Sequence, residues 1–391
     1  MYAKGIMNKR REFKDYMLHT LTPILLYGCI TGLLVGAVVW GFCWVSEWLT
    51  HQSVNIYAYV AGHLAYLPLL FLGLFALAMV ASIILRATPE LQGSGVPYTE
   101  GVIRGLLRYK WVRMLFGAIF GSFISYFAGL PLGVEGPCVQ IGGTIGDGVN
   151  RMGRSLNKNS NAWRRYSVAG AASAGFAVAF AAPLAGIIFA LEEGHKRLSP
   201  MILLTAASSV LIAVLTSNTL NRFVSNAKYA FDFGELQILP IGQIWMLLIL
   251  GIGLGLMAAF FSIALFRFKD LLAKREKIPV WLKLIAAYFL VGITGLFFTD
   301  VLGGGKGLIN KIANYGFEWK VLLILLILKL VLVIICANSG ATGGLFVPLI
   351  AIGAIFGGLA AKLFILIGMD PIYYKTIVLI SMCAFMGAVT R

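Results

Sequence analysis

The feature that most constrains this chain is a series of apolar runs long enough to cross a lipid bilayer. Examples of these runs are 22–49, 59–85, 114–132, 241–266 and 321–336. A helix needs roughly 20 apolar residues to span the hydrocarbon core of a membrane, and these runs approach or exceed that length. Because 59% of the 391 residues are hydrophobic and only 12% are charged, the sequence predicts an all-α polytopic membrane protein.

Two further apolar segments are too short to span a bilayer. They are 138–149 and 184–191, and both are bounded by glycine or proline. Short helices are tolerated at membrane depth where they line a cavity inside the protein instead of facing lipid. We therefore expect broken and re-entrant helices in addition to full spans.

The distribution of basic residues predicts the orientation in the membrane. A net charge of +16 is compatible with nucleic-acid binding, but most Lys and Arg lie in short loops between the apolar runs. Basic clusters occur at 4–11, 104–113, 151–165, 196–197 and 267–283. Because loops rich in Lys and Arg stay in the cytoplasm, we expect a multi-pass protein of the cell membrane with no nucleic-acid partner. Its N-terminus is expected to be cytoplasmic, with 1–20 as an amphipathic lead-in.

One carboxylate stands out because it lies among small residues between two apolar runs, in the sequence Gly133-Val134-Glu135-Gly136-Pro137. An ionisable group at membrane depth costs about 2.5 kcal/mol or more, so it persists mainly where it meets an ion, a proton or water. The segment also opens the helix predicted at 138–149, and helix N-termini favour anions. A carboxylate and an inorganic anion could therefore compete for one place. The alternative is a plain helix cap, which is worth roughly 0.3–1 kcal/mol.

The chain contains a weak internal repeat. Residues 138–146 read CVQIGGTIG and residues 349–357 read LIAIGAIFG, with an Ile-Gly pair and a later Gly at the same offsets. Transporter repeats are often inverted halves whose broken helices direct their positive N-terminal ends at an anionic substrate. The sequence thus predicts one transmembrane domain over 1–391, with repeats at about 21–217 and about 239–391 and an anion site between them.

An enzyme is the alternative from another class, and the sequence gives it no support. It contains neither an HExxH motif nor a GxSxG motif. Its five cysteines lack a pairing pattern or metal-ligand spacing, so we interpret them as small apolar packing residues. The histidines are also far apart along the chain, at His19, His51, His63 and His195. We expect no enzymatic activity, metal or cofactor, and a structural membrane scaffold is the remaining alternative.

Four separated strings resemble the CLC chloride channel and transporter family. GSGVP at 93–97 is similar to the family's GSGIP, and GVEGP at 133–137, followed by VQIGG, is similar to GREGP. AFAAPLAGIIFALEE at 179–193 resembles the stretch that ends in the family's paired glutamates, and GGLFVP at 343–348 resembles GGIFAP. The resemblance implies an inverted-repeat helical bundle, usually homodimeric, with one anion pathway per subunit in the lipid bilayer.

The resemblance also implies the residues that bind the anion. The hydroxyl of Ser94 would donate to a dehydrated chloride, with Gly93 and Gly95 allowing the backbone to approach. Leu345 and Phe346 would offer backbone N–H groups to the same ion. The family's nitrate-preferring members carry proline at the position of Ser94, so serine implies chloride as the substrate. The alternatives are an ordinary Gly-Ser-Gly turn and a packed aromatic residue at an irregular turn.

The same resemblance also implies functions for Glu135 and for the pair Glu192 and Glu193. Glu135, between the anion-site glycines Gly133 and Gly136, is similar to the gating glutamate, which leaves the anion site when it is protonated. Glu193 matches the inner proton-transfer glutamate and Glu192 the acidic residue before it. Solvated charges at a helix end are the alternative for this pair. The implied function is secondary active exchange of chloride for protons, with a passive chloride channel or an exporter of fluoride or another anion as alternatives.

Two positions and the chain end depart from the family pattern. Val134 replaces the usually basic residue before the gating glutamate, which removes a positive charge near the outer pathway. Cys138 stands where Ser or Thr is common. Residues 386–391 resemble the run just before the family's second Pro-Leu-Thr-Gly element, so the family's last helices are expected to be absent from this chain.

Overall fold

A computed structural model describes residues 21–152, 160–195, 199–224, 231, 233–274, 278–314 and 316–390, except for the side chains of 160–162 and 193–195. The predicted lead-in at 1–20, the basic cluster at 196–197 and the side chain of Glu193 lie outside these described parts. All regular elements in the described parts are helical. The α-helices are α1 (Thr22–Gly62), α2 (Leu67–Ala87), α3 (Val96–Ile103), α4 (Trp111–Phe127), α5 (Glu135–Met152), α6 (Ser160–Phe180), α7 (Pro183–Phe189), α8 (Pro200–Val224), α9 (Trp245–Lys274), α10 (Val280–Phe297), α11 (Lys306–Asn314), α12 (Trp319–Asn338), α13 (Phe346–Leu366) and α14 (Tyr374–Val389).

Eight helical segments in the described parts are long and apolar enough to cross a membrane. They are Thr22–Gly62, Leu64–Ala87, Pro200–Val224, Ile241–Lys274, Val280–Phe297, Trp319–Asn338, Phe346–Leu366 and Pro371–Val389. Two shorter apolar helices, Trp111–Phe127 and Pro183–Glu192, accompany them. The prediction of an all-α polytopic membrane protein with additional short helices is confirmed.

One predicted boundary is wrong. The apolar runs at 22–49 and 59–85 suggested a break between them, but α1 continues through this stretch to Gly62. The stretch contains no proline and no glycine before Gly62, so its polar side chains do not interrupt the helix. Tyr57, in the continued part, is buried and donates a hydrogen bond from its hydroxyl to Ala128 O at 3.0 Å.

The described residues divide into two compact units. The first comprises the described parts of Met1–Cys43, Gly95–Ala118 and Cys138–Ala227, and the second those of Trp44–Ser94, Ile119–Pro137 and Lys228–Arg391. Some helices, such as α1 and α5, begin in one unit and continue in the other.

In the first unit, small residues bring α1 against α8. A Cβ added at Gly36 would lie 2.6 Å from Ala213 O, so the two backbones approach closely. Thr31 Oγ1 and Ser209 Oγ share a hydrogen bond of 3.1 Å across the same contact. Small residues are the usual means by which membrane helices pack, because lipid provides no hydrophobic force between them.

The repeated segments occupy equivalent places in their helices. In the first unit, a Cβ at Gly142 of α5 would collide with Ala171 O of α6. In the second unit, a Cβ at Gly353 of α13 would lie 2.7 Å from Ser381 O of α14. Both glycines therefore let a neighbouring helix approach to backbone distance, which explains why glycine occurs at the same offset in both segments.

The second unit contains a completely buried cation. Lys329 of α12 is 0% exposed, and its Nζ donates to Val301 O at 2.9 Å and to Gly303 O at 2.7 Å. A buried ammonium group is tolerated only when its donors are satisfied. Lys329 thus fastens the loop 301–305 to α12.

We expect Gly142→Ala to destabilise the protein, because the new methyl group would collide with the backbone of α6. Overpacking of this kind costs about 1–3 kcal/mol, which should lower the thermal midpoint in detergent by several degrees. Gly41→Ala in α1 is the matched control, since a Cβ there meets no atom within 4 Å. Equal midpoints for the two variants would contradict the close packing of α5 against α6.

Candidate functional site

Three loops meet in the second unit, before the residues at which α3, α5 and α13 begin. Gly133 N donates to Gly344 O at 2.7 Å, and Gly344 N donates to Gly133 O at 2.6 Å. Gly93 pairs with Thr342 in an isolated parallel bridge. These hydrogen bonds join segments that lie far apart in the sequence.

Glycine is required at the point where the loops touch. A Cβ at Gly136 would collide with Ser94 O and lie 3.0 Å from Gly344 Cα. A Cβ at Gly133 would collide with Glu135 Oε2. Tyr126 braces the same loop, because its hydroxyl donates to Gly133 O at 2.9 Å. The backbones are therefore in direct contact, and no side chain larger than hydrogen fits between them.

Glu135 is the first residue of α5 and is 0% exposed. Neither of its carboxyl oxygens makes a hydrogen bond to the described residues. Burial opposes its negative charge, whereas the positive charge of Lys306 and, to a smaller extent, the nearby backbone N–H groups of Glu135 and Val347 favour it. A residue that merely caps a helix accepts a well-formed hydrogen bond from a backbone N–H. The carboxyl oxygens of Glu135 make no such bond, so its geometry is not that of a plain helix cap.

The structure brings most of the predicted anion-site residues into the second unit. Gly93 and Ser94 end one loop, Gly133 and Gly136 flank Glu135, and Leu345 is the N-cap of α13. Phe346, the first residue of α13, is half-buried, as are Ser94 and Leu345. Gly95 belongs to the first unit and is the N-cap of α3, with a φ of 77° that favours glycine.

The predicted inner glutamates lie in the first unit. Glu192 and Glu193 belong to the π-helical turn Ala190–His195, which follows α7. The side chain of Glu192 is exposed. Turns of this kind are rare and are frequently found at functional sites.

Two side chains near these motifs and one contact between cysteines could not be predicted from the sequence. Tyr126 and Lys306 carried no motif, although Lys306 follows three consecutive glycines. Cys43 and Cys138 have their sulfur atoms 3.6 Å apart, a contact between distant parts of the chain that cysteine spacing does not reveal.

Comparison with known proteins identifies the family. The sequence model described as voltage gated chloride channel matches residues 76–391. The chain belongs to this family, the CLC family. The H⁺/Cl⁻ exchange transporter ClcA of Salmonella paratyphi B is 32% identical over 400 residues, which cover 98% of this chain and 82% of the relative. The ClcA protein of Salmonella newport matches with the same identity and coverage.

Solved structures show the same fold. A slow cyanobacterial Cl⁻/H⁺ antiporter superposes with a TM-score of 0.81 at 23% identity, covering 94% of this chain and 94% of that chain. A CLC-type fluoride/proton antiporter superposes with a TM-score of 0.73 at 24% identity, covering 94% of this chain and 87% of that one. The predicted CLC-like helical fold is confirmed.

Proposed function

We propose that this protein is a secondary active antiporter that exchanges chloride for protons across the cell membrane. The observation that carries the proposal is the buried carboxylate of Glu135, which lacks a hydrogen bond where α5 begins and near the first turn of α13. The exchange activity named for the Salmonella relatives supports the same function.

Coupling follows from competition for a single position. The ionised carboxylate of Glu135 occupies an anion site near the N–H of Val347. Protonation removes its charge, so the side chain leaves and chloride takes its place, with helix N-terminal N–H groups replacing part of the hydration shell. Ser94 adds a hydroxyl donor that favours chloride. Because the proton and the chloride use this position alternately, movement of one drives the other.

Protons reach Glu135 from the cytoplasm by way of Glu193, with Glu192 in a lesser role. The excess of Lys and Arg near this pair, at 196–197, supports a cytoplasmic location. The same rule supports a cytoplasmic N-terminus. By its membership of the CLC family, we further propose that the protein acts as a homodimer with one pathway per subunit.

Glu135→Gln mimics permanent protonation, so we expect chloride to move down its gradient without proton transport. Flux should also lose its dependence on pH, because no charged carboxyl competes with chloride. The measurement uses purified protein in liposomes, with a chloride electrode and a pH dye. Continued proton pumping under a chloride gradient would refute the gating role of Glu135.

Ser94→Pro should shift the preference from chloride toward nitrate, because it removes a donor that favours the smaller, more strongly hydrated ion. The measurement is the ratio of nitrate to chloride flux in liposomes. Ser94→Thr keeps the hydroxyl and should keep the wild-type ratio. An unchanged ratio in the proline variant would mean that Ser94 is only a turn residue, and faster fluoride than chloride flux in the wild type would favour the fluoride alternative.

Glu193→Ala or Glu193→Val should abolish proton movement and leave chloride flux, because the variants lack an ionisable group on the inner proton path. Glu192→Ala should have a smaller effect and serves as the matched control. In liposomes, the Glu193 variants should dissipate a chloride gradient without changing the internal pH. Persistent proton transport would contradict the relay, and loss of both fluxes would indicate a folding role.

A wild-type protein that conducts chloride without protons would be a channel.

A further inference from the structure

The loop 301–305 of the second unit lies against the loop that precedes Glu135, but it contains none of the four strings that resemble the CLC family. A Cβ added at Gly304 would lie 3.2 Å from Val347 Cγ1, 3.3 Å from Leu132 O and 3.6 Å from Gly133 Cα. The backbone of Gly304 therefore contacts both the loop before Glu135 and the first turn of α13. Helix α11 begins two residues later, at Lys306.

The position of this loop is fixed by a buried side chain. Lys329 donates to Val301 O at 2.9 Å and to Gly303 O at 2.7 Å. A Cβ at Gly305 would lie 3.6 Å from Lys329 Nζ and 2.6 Å from the Cβ of Ala351 in α13. The backbone leading into Lys306 is thus held against α12 and α13.

The positive charge of Lys306 does not stabilise α11, the helix that begins at this residue. It lies at the first residue of α11, and a cation at a helix N-terminus is unfavourable by roughly 0.3–1 kcal/mol. Its side chain is half-buried and its charge acts on the carboxylate of Glu135. Val134, the residue directly before Glu135, contributes no charge.

The two other lysines of this region have different partners. Lys311, also on α11, pairs with Asp300 at 2.5 Å, and the donors of Lys329 face backbone carbonyls. Lys306 is the lysine that follows, by two residues, the contact of Gly304 with the loop before Glu135.

We propose that Lys306 is an anion-binding residue of the transport pathway, whose fixed positive charge stabilises whichever anion occupies the position of the Glu135 carboxylate. The inference rests on the proposed function and adds to it a residue outside the four motif strings. Because Coulomb attraction does not depend on the chemical identity of the anion, the charge acts on the carboxylate when the gate is closed and on chloride when the gate is open.

The test compares Lys306→Met, Lys306→Arg and Lys311→Met in liposomes, with chloride flux measured over a range of chloride concentrations. We expect Lys306→Met to raise the half-saturating chloride concentration about fivefold, with a much smaller change in maximal flux. Lys306→Arg retains the charge and should restore the wild-type value. Lys311→Met removes a charge from the same helix and should leave the half-saturating concentration within about twofold.

A second comparison uses the Glu135→Gln background, in which chloride replaces the carboxylate. Lys306→Met should again raise the half-saturating concentration there, because the anion still meets the missing charge. An unchanged value in both backgrounds, or equal effects of Lys306→Met and Lys311→Met, would overturn the inference while leaving the proposed function intact. Absence of chloride flux in the wild-type protein would instead contradict the proposed function itself.

Discussion

The site depends on one close contact between backbones, the pair of hydrogen bonds that joins Gly133 to Gly344. This contact holds the loop before α5 against the loop before α13, so that Glu135 and the first turn of α13 face one position. The neighbouring Gly136 keeps the contact free of side chains, because a Cβ there would collide with Ser94 O. Without this junction, a buried carboxylate at the start of α5 would have no backbone N–H group of α13 nearby, and its burial would be far more costly.

Close backbone contacts at glycine also hold the helices around the site together. Apolar side chains alone do not hold membrane helices together, since lipid solvates them equally well. Contacts such as that of Gly142 with Ala171 and that of Gly353 with Ser381 instead rely on backbone approach and dispersion. The placement of glycine therefore determines which helices meet, whereas the apolar content determines only that they enter the membrane.

The difference between apolar content, which is a local signal, and glycine contacts, which depend on the fold, explains what could be predicted from the sequence. The named apolar runs predicted four of the eight candidate spans among the described residues, and the unusual environment of Glu135 marked it as a candidate site, because both signals are local. The continuation of α1 to Gly62 was missed because the polar residues His51, Gln52, Ser53 and Asn55 give this part of the helix the composition of a loop. The residues alone also did not reveal that the loops of Ser94, Gly133 and Gly344 meet, since that depends on long-range contacts. The family resemblance supplied that expectation.

Among the described residues, the buried charges of Asp147, Lys329 and Glu135 differ in how the protein compensates them. Asp147 in the first unit pairs with Arg151 at 2.9 Å and with Arg164, and Lys329 in the second unit donates to two carbonyls. These charges are satisfied by the protein, so they need nothing from solution. Glu135 is equally buried but has no such bond. Glu135 thus combines complete burial with carboxyl oxygens that lack a hydrogen bond, and this is the arrangement that the proposed exchange of an anion against a proton requires.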